Sequence, residues 1–180
     1  MKKQIPKQRG LRLIGSGCVV LVTSAYKDKN NIITLAWQTP LSHTPALVGI
    51  SVAKSHLSCE LIRKSGEFVI NIPDVSLLEK VMLCGKVSGR KEDKFKLTGF
   101  TPEKGYSLVK TPLIGECIGN IECSLRDVKD IGDHMFFIGE ILHAQVRDEL
   151  FDDKWNIDKT KLLYHLGGSF FTSSGEKIEA

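Results

Sequence analysis

The sequence predicts a mainly β fold, an antiparallel β-barrel with a few peripheral helices, on three observations. Short β-branched-rich runs recur between turn signals, beginning with Cys18-Val-Val-Leu-Val-Thr-Ser24, and such runs suit strands better than helices. They follow one another as hairpins, without the strand–helix alternation of a doubly wound parallel sheet. Helical period surfaces only in two short segments and one further turn. The 180 residues fit one domain, since a single core commonly holds ~100 to 200 residues. That domain is expected over 1–180, with 1–10 as a polar, basic arm and 172–180 as a fraying tail.

Taken in order, the Cys18–Ser24 run and Ile32–Trp37 form a hairpin about a turn at Lys27-Asp-Lys-Asn-Asn31. Pro40 and Pro45 bracket a loop, Leu41-Ser-His-Thr44. Ala46–Ala53 is apolar at nearly every position, as in a strand covered on both faces. A helix follows, with Leu57, Leu61 and Ile62 on one face, Ser55 as N-cap and Gly66 as C-cap. Glu67–Ile72 is a strand stopped by Pro73. The spacing of Ser76 and Glu79 predicts a capping box for a second helix, whose buried stripe is Leu77, Leu78, Val81 and Met82 and which ends at Cys84-Gly85. After a Gly/Ser/Arg/Lys loop, Asp93–Leu97 forms a helical turn, and Thr98–Pro102 and Thr111–Gly115 carry strand fragments. Ile121, Cys123 and Leu125 alternate with polar residues, which is the period of a half-buried strand. His134–Leu142 pairs with it across a turn at Lys129–Asp133. A polar stretch, Arg147–Asp153, precedes a docked segment from Lys161 to Phe171.

Composition narrows the function classes. Hydrophobic residues are 42% and charged residues 26% of the chain, an ordinary globular mixture that supports a proper core. The 25 basic and 21 acidic residues are interspersed, which argues against a nucleic-acid partner, since that calls for a concentrated basic face. No run approaches the ~18 apolar residues of a membrane span, and no signal-peptide core is recognisable. A cytoplasmic location is therefore expected. Cys18, Cys59, Cys84, Cys117 and Cys123 lack C-x-x-C spacing, so neither a disulfide framework nor a thiolate metal site is indicated. His43, His56, His143 and His165 likewise show no metal-ligand spacing, and no metal is expected. G-x-S-x-G, Walker and G-x-G-x-x-G sequences are missing, which leaves hydrolase and nucleotide-triphosphatase chemistry without anchors.

Two stretches can carry a ligand. In Asn31-Ile-Ile-Thr-Leu-Ala-Trp37, Asn31 and Thr34 offer hydrogen bonds and Trp37 an aromatic face. Lys54, Ser55, Ser58 and the Ser88-Gly-Arg90 to Lys94 loop gather hydroxyls, cations and a helix start that favour an anion. The residues alone favour plain readings over these: a core tryptophan, a cap and a solvated loop. His134, delivered by the Gly132-Asp133 turn, is open to three readings: proton donor, ligand contact or exposed turn residue.

These stretches, together with Pro45, Lys54 to Ser58, Gly66-Glu-Phe-Val-Ile-Asn-Ile-Pro73, Cys84-Gly-Lys-Val-Ser-Gly-Arg90 with Asp93-Lys-Phe95, and Gly132-Asp-His134 followed by Phe137-Ile-Gly-Glu140, resemble the flavin reductase-like, FMN-binding split-barrel family. Within it the chain looks most like the flavoredoxins. The resemblance spans about Gly17 to Phe171. It implies a split barrel that forms a homodimer, with FMN as cofactor and NAD(P)H as a co-substrate. Asn31, Thr34, Ala36 and Trp37 would border the ring and ribityl chain, and Lys54, Ser55, Ser58, Ser88, Arg90 and Lys94 the phosphate. His134 would lie near the flavin as the catalytic residue, with Phe170 or Phe171 as a cap. His56 departs from the family pattern, where many relatives carry a smaller or hydroxylic residue. The implied activity is oxidoreduction, passing hydride or electrons to free flavin, a ferric chelate or a redox protein. A flavin electron carrier without its own nicotinamide site and a non-redox binding or assembly module are the alternatives.

Overall fold

The structure is a computed structural model that describes residues 2–15, 17–108 and 110–178. A 3-10 turn (Lys7–Gly10) leads into one helical turn, α1 (Leu11–Ile14), neither of which buries a residue. The described part of the expected arm is thus exposed, while Met1 lies outside the described residues. β1 (Val20–Tyr26) and β2 (Lys29–Leu35) form a hairpin whose turn is only Lys27-Asp28, with Lys27 at φ 55. The strand therefore takes in Lys29, Asn30 and Asn31, which the composition assigned to the turn.

β3 (Gln38–Ser42) and β4 (Leu47–Ala53) form a second hairpin. The sequence placed a loop at Leu41–Thr44 because of Pro40. The strand exists because it lies at the sheet edge, where a residue without an N–H costs no ladder bond. α2 (Leu57–Ser65) ends at Gly66, whose left-handed φ of 74 suits glycine and whose N–H donates to Ile62 O at 2.9 Å. Its N-cap is His56 and not Ser55, and no side chain caps it.

β5 (Glu67–Ile72) leads to a 3-10 turn (Val75–Leu77) and α3 (Leu78–Lys86). The expected Ser76 cap is replaced by Asp74, whose carboxylate accepts from the Ser76 N–H and hydroxyl. Asp74 wins because a carboxylate two residues upstream can take both donors at once. α4 (Lys94–Thr98) is capped by Asp93, which accepts from the Phe95 and Lys96 N–H groups. β6 (Pro102–Glu103) pairs with β7 (Leu113–Ile114).

The long strands β8 (Gly119–Ile131) and β9 (His134–Val146) turn at Gly132-Asp133 and carry two register shifts. A 3-10 turn (Asp148–Leu150) and the small hairpin of β10 (Phe151–Asp152) with β11 (Lys154–Trp155) occupy the stretch that reads as merely polar. β12 (Leu163–Gly167) and β13 (Phe170–Ser173) close the chain as a hairpin. Fraying from Thr172 is corrected by this pairing, since Ser174 N–H still donates to Leu162 O at 3.0 Å. Glu179 and Ala180, also assigned to the tail, lie outside the described residues.

The main sheet runs β2-β1-β5-β8-β9-β4-β3, every adjacent pair antiparallel, and it curls around a core. Inside lie Val20, Val22, Ile33, Val48, Ile50, Phe68 and Phe137, with Cys59 and Ile62 of α2 packed among them. The opposite face of β1 and β2 presents Leu21 and Ile32 to a second cluster with Val81, Cys84, Phe95, Ile114 and Leu163. β1 is buried on both faces, which explains its nearly unbroken apolar text. α3 is tethered to β2 by the Thr34 hydroxyl, which donates to Val81 O at 2.7 Å. Among the described residues, no helix is long and apolar enough to cross a membrane.

Glycine is required in the core at Gly139. A Cβ there would sit 2.5 Å from the Phe68 ring, which is fully buried, and 3.0 Å from Cys123 Cβ. Gly139→Ala is therefore expected to destabilise the fold by about 1–3 kcal/mol through overpacking; an unchanged urea midpoint would contradict this packing. Thr34→Val, which keeps the shape and loses the tether, should cost about 0.5–1.5 kcal/mol in the same measurement.

Candidate functional site

Two cavities meet on the outer side of the β1–β2 hairpin. The first, of about 370 Å³, lies between β2, α3 and the β12–β13 hairpin, with Val19, Ala36, Val81, Met82 and Phe171 as its apolar wall. The second, of about 220 Å³, lies between β2, the start of α2 and the loop after α3, with Asn31, Ser55, His56, Ser88, Gly89 and Lys94 around it. Thr34, Gly85 and Lys86 line both. The result is one groove, apolar at one end and polar and cationic at the other.

The polar end is built on buried groups. Lys94 is 5% exposed, and its ammonium donates to Ile32 O at 2.7 Å and Cys84 O at 2.6 Å. Burial pushes this ammonium below the usual lysine range, opposed by neighbouring Cys84. The Cys84 thiol is itself pushed up to about 11 by burial, which removes it as a nucleophile at neutral pH. Asn31 is 3% exposed; its amide nitrogen donates to Ser58 Oγ at 2.9 Å, and Ser58 also accepts from Ser24 at 3.2 Å. Asn31 Oδ1 is buried without a partner. It lies against Gly89, where a Cβ would come within 1.9 Å of it. Only glycine lets that loop approach so closely.

A buried acceptor without a donor is costly unless a ligand supplies one. A buried ammonium bonded only to carbonyls, in a cavity lined by no carboxylate, likewise favours an anion. The uncapped N-terminus of α2 faces the same space and adds its positive end. The groove thus matches a ligand with a flat apolar part, hydroxyls, and an anionic terminus.

The site residues expected from the sequence distribute unevenly. Asn31, Thr34, Ser55, Ser88 and Lys94 line the polar cavity, and Thr34, Ala36 and Phe171 the apolar one. Ser58 lies beneath, fully buried, and holds Asn31. Lys54 and Arg90 are not brought into the groove: Lys54 is bound to Asp130 at 2.6 Å and Gly132 O at 2.7 Å, and Arg90 to Glu60 at 3.1 Å. Their nearby acidic partners account for this. Phe170 points to solvent at 72% exposure, since β13 alternates and gives only Phe171 to the cavity.

Trp37 sits between β2 and β3 and is half-exposed, in neither main cavity. It lines a smaller cleft with Arg12, His165 and Gly168, and the last two also line the apolar cavity. Its ring lies 5.0 Å from that of His134, at 34°. His134 Nδ1 is 2.6 Å from Asp133 Oδ1, and this hydrogen bond holds the Asp133 carboxyl below the usual carboxylate range. Sequence reasoning did not single out Lys86 and Gly89, although they lie in the Cys84–Arg90 stretch, and weighed His165 only as a metal ligand and His56 as a metal ligand and a departure from the family pattern. The α3 period could have pointed to Lys86, one turn beyond Met82; nothing local marks His165.

Comparison with known proteins places this geometry in a family. Residues 12–173 match the model of the flavin reductase like domain. An uncharacterized protein of Archaeoglobus fulgidus is 38% identical over 154 residues, covering 84% of this chain and 86% of its own. Among solved structures, flavoredoxin from Methanosarcina acetivorans is similar with a TM-score of 0.86 and 29% identity, over 100% of this chain and 95% of that one. An FMN-binding protein from Thermus thermophilus shares the fold with a TM-score of 0.86 at 23% identity, over 100% and 98%. With the mostly antiparallel curled sheet and the family match across nearly its whole length, the chain belongs to the flavin reductase-like domain family.

Proposed function

We propose that the groove holds FMN and that the protein is an FMN-dependent oxidoreductase. The observation that carries this reading is that one cavity is lined by both Asn31, whose buried Oδ1 has no partner, and Lys94, whose buried ammonium meets only carbonyls, an acceptor and a cation that suit a hydroxyl and a phosphate. Ser55, Ser88, Lys94 and the start of α2 would hold the phosphate. Asn31, with Thr34 beside it, would meet the ribityl hydroxyls, while Ala36, Val81, Met82 and Phe171 would cover the ring. Lys54 and Arg90 act at one remove, by holding Gly132 and Glu60 in place.

Bound flavin supplies the hydride and electron chemistry itself, so the protein needs neither nucleophile nor metal. The chain binds the ring, keeps water from its apolar side and presents His134. Asp133 engages Nδ1 of that histidine, which leaves Nε2 as the atom that can hold or pass a proton. NAD(P)H is the donor in this reading, and free flavin, a ferric chelate or a redox protein the acceptor. Exposed Leu13, Ile14, Leu166 and Phe170 support a homodimer that covers them. Five free cysteines suit a reducing, cytoplasmic setting. The similarity to a flavoredoxin favours one second reading, an electron carrier that takes electrons from a reduced protein and not from a nicotinamide.

The purified protein is expected to be yellow or to turn yellow on addition of FMN, and failure to bind added FMN would overturn the proposal. Ser88→Ala combined with Lys94→Ala should weaken FMN at least about tenfold, since charge-assisted contacts are worth about 1.5–3 kcal/mol each. Unchanged affinity by fluorescence titration would remove that loop from the site. Anaerobic mixing with NADH or NADPH should bleach the flavin within turnover time. Bleaching by dithionite or reduced ferredoxin alone would select the carrier.

A further inference from the structure

His56 is a groove residue whose side chain neither the fold nor the proposed reaction uses. It is the N-cap of α2, yet its side chain makes no capping bond and stands exposed at the wall of the polar cavity beside Ser55 and Leu57. Its surroundings are cationic. Lys94 from α4 and Lys86 from the end of α3 line the same cavity, and His134 from β9 lies close enough to act on it. No carboxylate lines the cavity, and Glu60 on α2, Asp133 and Asp130 are paired with Lys64 and Arg90, His134 and Lys54 respectively. From β2 the cavity receives Asn31, and from the loop after α3 it receives Ser88, neither of them charged.

We propose that His56 is a proton-linked binding residue: a phosphate monoester dianion entering the polar cavity draws a proton from solvent onto its imidazole, so the protein takes up a proton as it binds. This rests on the reading that the cavity takes the phosphate end of FMN. Partial desolvation, then the charges of Lys94 and His134, hold the imidazole of the free protein below the usual histidine range, which favours its neutral form. Two negative charges at the same wall reverse that field. The second, independent sign that the cavity is built for a ligand is Asn31 Oδ1, buried and without a donor.

The sign of the pH effect follows. The bound complex holds the proton more tightly than the free protein, so affinity rises as pH falls from the bound pKa towards the free one and is constant outside that window. A bound pKa one unit above the free value gives about a tenfold change. The phosphate's own second ionisation lies near pH ~6, so the test belongs between about pH 6.5 and 8.

Calorimetric titration with FMN in buffers of different ionisation enthalpy counts the protons directly, with riboflavin as the ligand lacking phosphate. Wild-type protein is expected to take up a substantial fraction of a proton with FMN and none with riboflavin. His56→Gln should abolish the uptake and flatten the pH dependence of FMN affinity. His56 is an exposed residue whose backbone does the capping, so the variant is expected to fold. Equal uptake in wild type and His56→Gln, or FMN binding without uptake, overturns this inference and leaves the cofactor reading standing. If neither FMN nor riboflavin binds, both fall.

Discussion

The Lys94 ammonium is the joint on which the groove depends. It reaches from the first turn of α4 to carbonyls of β2 and of the end of α3, and so holds three separate segments in one place. A lysine so deeply buried sacrifices hydration that two carbonyls only partly replace. The fold tolerates this because Asp93 caps α4 and fixes where the lysine starts, and because Phe95 next to it anchors the same turn in the apolar cluster beneath. Remove that anchoring and the loop from Val87 to Glu92 has no reason to lie against Asn31.

From this joint the groove's asymmetry follows. β1 and, from Asn31 onward, β2 are buried on one side by the barrel core and on the other by α3, α4 and the last hairpin, so most of their outward residues meet the second layer and not solvent. Where the second layer is apolar, as at Val81, Met82 and Phe171, the groove accepts a ring. Where it gives way to a glycine-containing loop and an uncapped helix start, backbone dipoles, hydroxyls and a cation replace it. Histidines 56 and 134 belong to different segments, yet the charge of His134 adds to burial and to Lys94 in holding the His56 imidazole below the usual histidine range.

Much of the architecture is legible in local text. Alternation at Ile121, Cys123 and Leu125 marks β8, the nearly all-apolar Ala46–Ala53 run marks β4, although only its Val48, Ile50 and Val52 face lies in the core and Leu47, Ser51 and Ala53 are half-buried, and Gly66 marks the end of α2. The errors have local causes as well. Pro40 reads as a loop because its tolerance at a sheet edge depends on which neighbour is missing. Ser55 and Ser76 read as caps because hydroxyls favour that position, but the chain had His56 and Asp74 one or two residues away in the required backbone conformation. The last hairpin is harder, since Leu163 to Ser173 is stabilised by the cluster it covers more than by its own period.

By itself the sequence determined the strand-rich class, the two principal helices and, through the spacing of its motifs, the family and the stretches that make the groove. Only the tertiary structure decided which of the named side chains meet. Lys54 and Arg90 share the charge of Lys94, and Arg90 also its neighbourhood in the chain, but each finds a carboxylate within 3.1 Å and is held outside. Lys94 finds only carbonyls and lines the cavity. His56 and Lys86 enter because the start of α2 and the end of α3 converge there. Charge and hydrogen-bonding capacity are properties of residue type, whereas desolvation and pairing depend on distances between segments far apart in the chain, and these exist only once it has folded.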